Sequence, residues 1–183
     1  MITIRHETAH DAEAREALLD AAYGAIRFTK PSARLRSGRQ PTRGLSFVAV
    51  ENGDIVGTIR FWEIAAGPDH PALLLGPLVV ASSHRNRGVG AALMQRALQE
   101  AKRRGHRAVL LVGDPAYYGR FGFSAERTGG LWLPGLDDRN RLLGCELVAG
   151  ALKGARGTIR GPKSRAKQPL IAAVPGLATP RAA

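Results

Sequence analysis

The sequence predicts an α/β (α+β) protein built on a mixed, mostly antiparallel sheet, and two patterns carry that reading. Leu45 to Glu51 and Ile55 to Ile64 are strand-like runs joined by Asn52-Gly53, a dipeptide that supplies the positive φ angles of a tight hairpin turn. Leu73 to Val80 and Ala108 to Val112 are nearly continuous apolar runs, as expected of strands buried on both faces. Between them lies a helical period at Val89, Leu93, Ala97 and Ala101. A strand, a crossover helix and a second strand place the two runs parallel in one sheet. Length and composition fit a single core: 183 residues, 44% hydrophobic and 23% charged, which excludes disorder throughout.

Taken in order, Thr8 and Asp11 form a capping pair that opens a helix, with Ala14, Leu18 and Ala22 on one face. Residues 27 to 44 read as a basic loop broken by Pro31, Gly38 and Pro41. After the hairpin, Gly76-Pro77 interrupts the first buried run. Proline has no N–H for a ladder, so the strand should bulge or splay there. The amphipathic helix spans Gly88 to Arg104 and is closed by Gly105. A short helical turn at Ala116 to Arg120 leads to Phe123, and a last pair of strands ends near Val148. From Lys153 onward small, basic and breaker residues lack any period, so disorder is expected after Arg160. The expected organisation is one domain over residues 1–160 and a basic tail over 161–183.

Charge narrows the choice of ligand. Lys and Arg number 27 against 15 Asp and Glu, a net +12 that would suit nucleic acid, an anionic surface or a phosphorylated ligand. Seven cations and no acid fall in residues 151–183, and six cations and no acid in residues 21–50. No aromatic residue interleaves the tail cations, so the stacking half of a single-strand reader is missing and nucleic acid is the lesser reading. Cys145 is the one cysteine: it cannot form an internal disulfide or a Cys-rich metal site, and its apolar neighbours mark a packed strand thiol rather than a nucleophile. No metal is expected. The N-terminus lacks a signal peptide and no apolar stretch is long enough to span a bilayer, so a cytoplasmic protein without membrane attachment is expected.

The most informative segment is Arg85-Asn86-Arg87-Gly88-Val89-Gly90, between a buried strand and the amphipathic helix. Glycines there remove Cβ atoms that would keep a ligand from the backbone, and the first amides of the helix point outward unpaired. Such a turn cradles a pyrophosphate, and Arg85 and Arg87 add positive charge beside it. A nucleoside triphosphate loop would need Gly-Lys followed by Ser or Thr, which are absent. A dinucleotide fold would need a glycine where Leu93 stands.

The segment resembles the Gln/Arg-x-x-Gly-x-Gly/Ala signature of the GNAT superfamily of acyl-CoA dependent N-acyltransferases, with Arg85, Gly88 and Gly90 on the three defining positions. Tyr118-Gly119-Arg120-Phe121-Gly122-Phe123 resembles that superfamily's Tyr-x-x-x-Gly-Phe element, and Gly76-Pro77 suits its bulged fourth strand. The run from Gly113 to Phe123 is similar to a bacterial group of acetyltransferases, as is Gly150-Ala151-Leu152 followed by Gly154 and Gly157. The resemblance covers roughly residues 1 to 150 and implies a six- to seven-stranded sheet with a central splayed parallel pair and helices on both faces. It also implies acetyl-CoA as cosubstrate. The amides of Arg87, Gly88, Val89, Gly90 and Ala91 would hold the pyrophosphate, with Arg85 beside it. Leu78, Val79 and Val80 would offer free backbone groups to the pantetheine arm as an added strand would.

The implied reaction is direct attack of a neutral amine on the thioester through a tetrahedral oxyanion. Tyr118 matches the family's general acid, which gives the departing thiolate its proton. Tyr117 is the fallback, and the Val80 amide is the oxyanion donor. An ammonium keeps its proton up to a pKa of about 10.4, so a base or a water chain must take it. Asp114, at the end of a parallel strand, is the candidate base, although Asp114-Pro115 also opens turns. Glu63, His70, His84 and an ordered water stand behind it. The acceptor is a small-molecule or protein amine. If the loop cations Arg27, Lys30, Arg34, Arg36, Arg39 and Arg43 face the cleft, an acidic acceptor is favoured. Two other classes stay open: a CoA-binding module without turnover, and nucleic-acid binding through the tail. An uncovered strand near the C-terminus offers pairing to a second copy.

Overall fold

The computed structural model describes residues 1–162, so all but the first two residues of the expected tail lie outside the described residues. Eight strands form the sheet: β1 (Thr3–His6), β2 (Ser46–Glu51), β3 (Asp54–Ala66), β4 (Pro71–Val80), β5 (Ala108–Val112), β6 (Leu131–Trp132), β7 (Leu142–Glu146) and β8 (Gly157–Arg160). Their order is β1-β2-β3-β4-β5-β7, with β8 added to β3 and β6 to β8. The helices are α1 (Ala12–Tyr23), the single turns α2 (Pro31–Arg34) and α4 (Pro115–Tyr118), and α3 (Val89–Arg103). The β2–β3 hairpin turns at Asn52 and Gly53, with φ of 53° and 93°, as the dipeptide predicts. β4 and β5 are parallel through α3, again as predicted, but pair only at Leu73–Val109 and Leu74–Leu110. Beyond Leu74 the two strands part.

Alternation along the strands divides the apolar residues between two cores. On one face Phe47, Ile59, Phe61, Leu73 and Leu111 pack against Leu93, Met94, Ala97 and Ala101 of α3. On the other, Trp62, Ile64, Leu74 and Leu110 pack with Leu131, Leu152 and Ile159. Gly57 lets α3 approach the sheet: a Cβ there would lie 2.9 Å from Leu93 Cδ1.

The structure corrects the reading of the sequence at three places. It adds β1 and β8, each of four residues, too short to raise an alternation signal. The two strands expected at the C-terminal end do not pair with each other, since β6 joins β8 and β7 joins β5. The Thr8–Asp11 capping box forms, but the buried face of α1 is Asp11, Arg15 and Leu19, while Ala14 is exposed. Arg15 earns that place through an ion pair with Glu7, which is bound in turn by Arg60. A charged side chain neutralised in this way is invisible to a hydrophobic period.

Candidate active site

The opening in the sheet begins at a bulge. Between the pairs Phe61–Leu75 and Ile59–Leu78, both Gly76 and Pro77 stand opposite Arg60. The buried Trp62 Nε1 donates to the Gly76 carbonyl at 2.7 Å and fixes the distortion. Gly76 adopts a φ of 132°, which a side chain would strain. Just past β4, the Ala81 N–H donates to Val56 O of β3 at 2.9 Å. Alternation then turns the Val79 groups toward β3 and those of Leu78 and Val80 toward the opening. The Tyr23 hydroxyl donates to Leu78 O at 3.0 Å, as this parity requires. Of the three residues expected to offer backbone groups, Val79 is therefore engaged within the sheet and Leu78 presents only its N–H.

Two cavities meet at this opening, of about 550 and 390 Å³, and both are lined by Tyr23, Leu78 and Tyr118. The smaller also touches Val79, Val80, Arg85, Gly90, Asp114 and Tyr117, which gathers expected site residues from three separate segments. The larger extends under α1 and α2, past Gly76 and Pro77.

At the head of α3, Gly88 takes the left-handed conformation with φ of 79° and turns the chain into the helix at Val89. The N–H groups of the first turn have no intrahelical acceptor, and those of Val89, Gly90 and Ala91 are among them. A Cβ on Gly90 would lie 2.9 Å from Tyr117 Oη, so the hydroxyl of Tyr117 rests on this turn. Arg120 covers the Tyr117 ring, 4.1 Å from its centroid. Arg85 lines the smaller cavity. Arg87 does not: it pairs with Glu51 at 3.1 Å, and Glu51 also binds His84 Nε2 at 2.8 Å.

Tyr118 lies at the junction of the cavities. Its ring occupies the space where Gly113 lacks a side chain. Burial first, then the neighbouring Tyr23 and Tyr117, push its pKa well above the ordinary tyrosine value. Asp114 caps α4, accepting from the Ala116 N–H at 3.0 Å, and borders only the smaller cavity. Its contact is the one the turn-opening reading expects, and it stands at the edge of the cavity that Tyr118 also lines. Glu63, His70 and His84 line neither cavity. His70 Nε2 instead lies 3.1 Å from the Lys153 carbonyl oxygen. Cys145 is buried on β7, and burial raises its thiol pKa, as expected of a packed strand thiol.

Sequence reasoning missed Tyr23, Trp62 and Glu16. Tyr23 ends α1 one residue beyond the face assigned to the core, and Trp62 reads as one more apolar strand residue. Glu16 lines the larger cavity between Arg15 and Arg27. Burial raises its pKa, but the hydrogen bonds from both arginines outweigh burial and leave it below the usual value. Among the described residues no cluster of three or more His, Cys, Asp or Glu could hold a metal ion, and no helix is long and apolar enough to cross a membrane.

A parallel strand pair that parts beside a glycine turn at the head of the crossover helix, with a protonated phenol at the junction, defines the class. Residues 12–123 match the acetyltransferase (GNAT) family, and the chain belongs to that family. It is 33% identical over 122 residues to the uncharacterised N-acetyltransferase YhbS of Escherichia coli strain K12, covering 66% of this chain and 72% of that protein. The crystal structure of Escherichia coli YhbS in complex with CoA superposes with a TM-score of 0.74 at 28% identity, covering 88% of this chain and 89% of that one. A GNAT acetyltransferase from Brucella melitensis in complex with acetyl-CoA gives a TM-score of 0.59 at 30% identity, over 69% and 84% of the two chains.

Proposed function

We propose that this protein transfers the acetyl group of acetyl-CoA to a primary amine. The observation that carries the proposal is the meeting of two cavities at Leu78 and Tyr118: one suits the cofactor and the other an acceptor. The smaller cavity fits CoA on the residues it presents. Val80 turns both backbone groups toward it, Leu78 its N–H, and the first turn of α3 offers unpaired amides at the far end. Arg85 contributes the charge beside the pyrophosphate, while Arg87 is held by Glu51 and contributes less.

When bound, the cofactor supplies an acetyl thioester. Leu78 lines both cavities, and its N–H, turned away from β3 by strand alternation, is the amide we assign to the developing oxyanion. Val80, which borders only the smaller cavity, is better placed for the pantetheine arm. Tyr118, at the junction of the cavities, is protonated at neutral pH as a tyrosine with a pKa of about 10 is, burial raising its pKa further, and it delivers that proton to the departing thiolate as the carbon–sulfur bond breaks. Glu16 is engaged by Arg15 and Arg27, whose hydrogen bonds hold it ionised. We assign removal of the ammonium proton to a chain of waters through the larger cavity, which passes it on to bulk solvent. The test is a panel of primary amines incubated with protein and acetyl-CoA, with release of free thiol as the readout. Amine-dependent release is expected. Saturable CoA binding without release for any amine would leave a CoA-binding module in its place.

A further inference from the structure

The larger cavity carries more positive charge than its own acids neutralise. Arg27, Lys30, Arg34, Arg36 and Arg60 line it, against Glu16 alone among its acids. Arg27 is bound by Glu16 and Asp20 at 2.7 and 2.8 Å, and Arg60 Nε by Glu7 at 2.7 Å. Lys30 lies over the Tyr23 ring, 4.1 Å from its centroid. Among the described residues neither Lys30, Arg34 nor Arg36 has an acidic partner.

Arg36 lies beside the bulge of β4. It is half-buried, and a Cβ on Gly76 would lie 3.7 Å from its Nη1, so the guanidinium rests against the bulge of β4. Burial lowers its pKa, as burial together with Arg141 and Arg36 lowers that of Lys30. A half-buried guanidinium that faces a cavity without an acidic partner is free to bind an arriving anion through bidentate hydrogen bonds. Gly76 stands two residues before Leu78, about 7 Å along an extended strand and less across a bulge.

Resting on the acetyl-transfer reading, we infer that the acceptor is a small molecule carrying its amine and an anionic group a few bonds apart, an amino acid or its phosphonate counterpart. Arg36 holds the anion while the amine faces Leu78 and Tyr118. Lys30 and Arg34 add positive potential at the rim. A polycationic amine is repelled by the same field.

The test is calorimetric titration of the CoA-saturated protein with the common amino acids and aminomethylphosphonate, each beside its neutral amide or ester. At least one anionic amine is expected to bind about 10- to 100-fold more tightly than its neutral partner. Arg36→Met should bring the two within a few-fold. Lys30→Met, on the exposed rim, should reduce the preference by a smaller factor and covers the case in which Arg36→Met does not fold. Equal or tighter binding of the neutral partners across the panel, no measurable binding of any anionic member, or an unchanged ratio in the folded variants would overturn the inference. Thiol release from acetyl-CoA with the same compounds separates it from the reading it rests on. Anionic preference in binding without thiol release removes acetyl transfer alone, and release fastest with neutral or polycationic amines removes the anionic acceptor alone.

Discussion

Tyr118 is assigned to proton donation by its surroundings as much as by its place in a motif. A solvated tyrosine ionises near pH 10. Burial at the junction of the two cavities raises that value, so the phenol stays protonated through and beyond the range of an ordinary tyrosine. The alkaline limb that Tyr118 imposes on kcat is therefore expected above pH 10. A pH–rate profile checks it, and a limb at or below 10 that vanishes in Tyr118→Phe would show the phenol to be less buried during turnover. Tyr118, Arg85, Gly88 and Gly90 could be picked out in the sequence because they stand on the positions of two motifs that resemble those of the family. The states of Arg87 and Asp114 could not, because each depends on a partner. Arg87 is turned aside by Glu51 from a different hairpin, and Asp114 is occupied by the amide of Ala116.

Among the elements, β4 does the most to create the site. The Gly76-Pro77 interruption was legible as a bulge because proline cannot join a ladder. What the sequence could not show is how the distortion is held: Trp62 binds the Gly76 carbonyl across fourteen residues of chain. Trp62→Phe leaves that buried carbonyl unpaired and is expected to cost about 1–3 kcal/mol of stability, measurable by denaturant unfolding. It should also lower turnover by loosening the segment that aims Leu78. Wild-type stability and turnover in this variant would contradict the role given to the bulge. The face of α1 was misread for the same kind of reason. A buried Arg15 satisfied by Glu7 cannot be distinguished from a surface arginine until the fold brings Glu7 beside it. That misreading hid Tyr23, whose hydroxyl donates to the Leu78 carbonyl and so occupies one of the backbone groups that face the opening.

At the scale of the molecule, two cores on opposite faces of one sheet leave the parted strands β4 and β5 as a slot between them. The second core is closed by β8, which lies against β3 and β6. Ile159 is 2% exposed there, so Ile159→Ala should destabilise the protein by about 2–5 kcal/mol, read as a lower denaturation midpoint. A change within about 0.5 kcal/mol would mean that β8 adds little to the fold. The net +12 also divides differently from its first impression. Seven of its cations lie after residue 150, Arg27 and Arg60 are neutralised by ion pairs, and Arg34, Arg36 and Lys30 line the larger cavity. These three cations, which have no acidic partner among the described residues, are the ones on which the proposed anionic acceptor rests.

The central claim is that the two cavities form one acetyl-transfer centre with Tyr118 as its acid. Tyr118→Phe removes a single oxygen from a ring whose packing on Gly113 is otherwise kept. Turnover of acetyl-CoA with the best acceptor should fall about 10²-fold or more, while the affinity for CoA stays at the wild-type value. Turnover unchanged at undiminished CoA affinity would contradict the account.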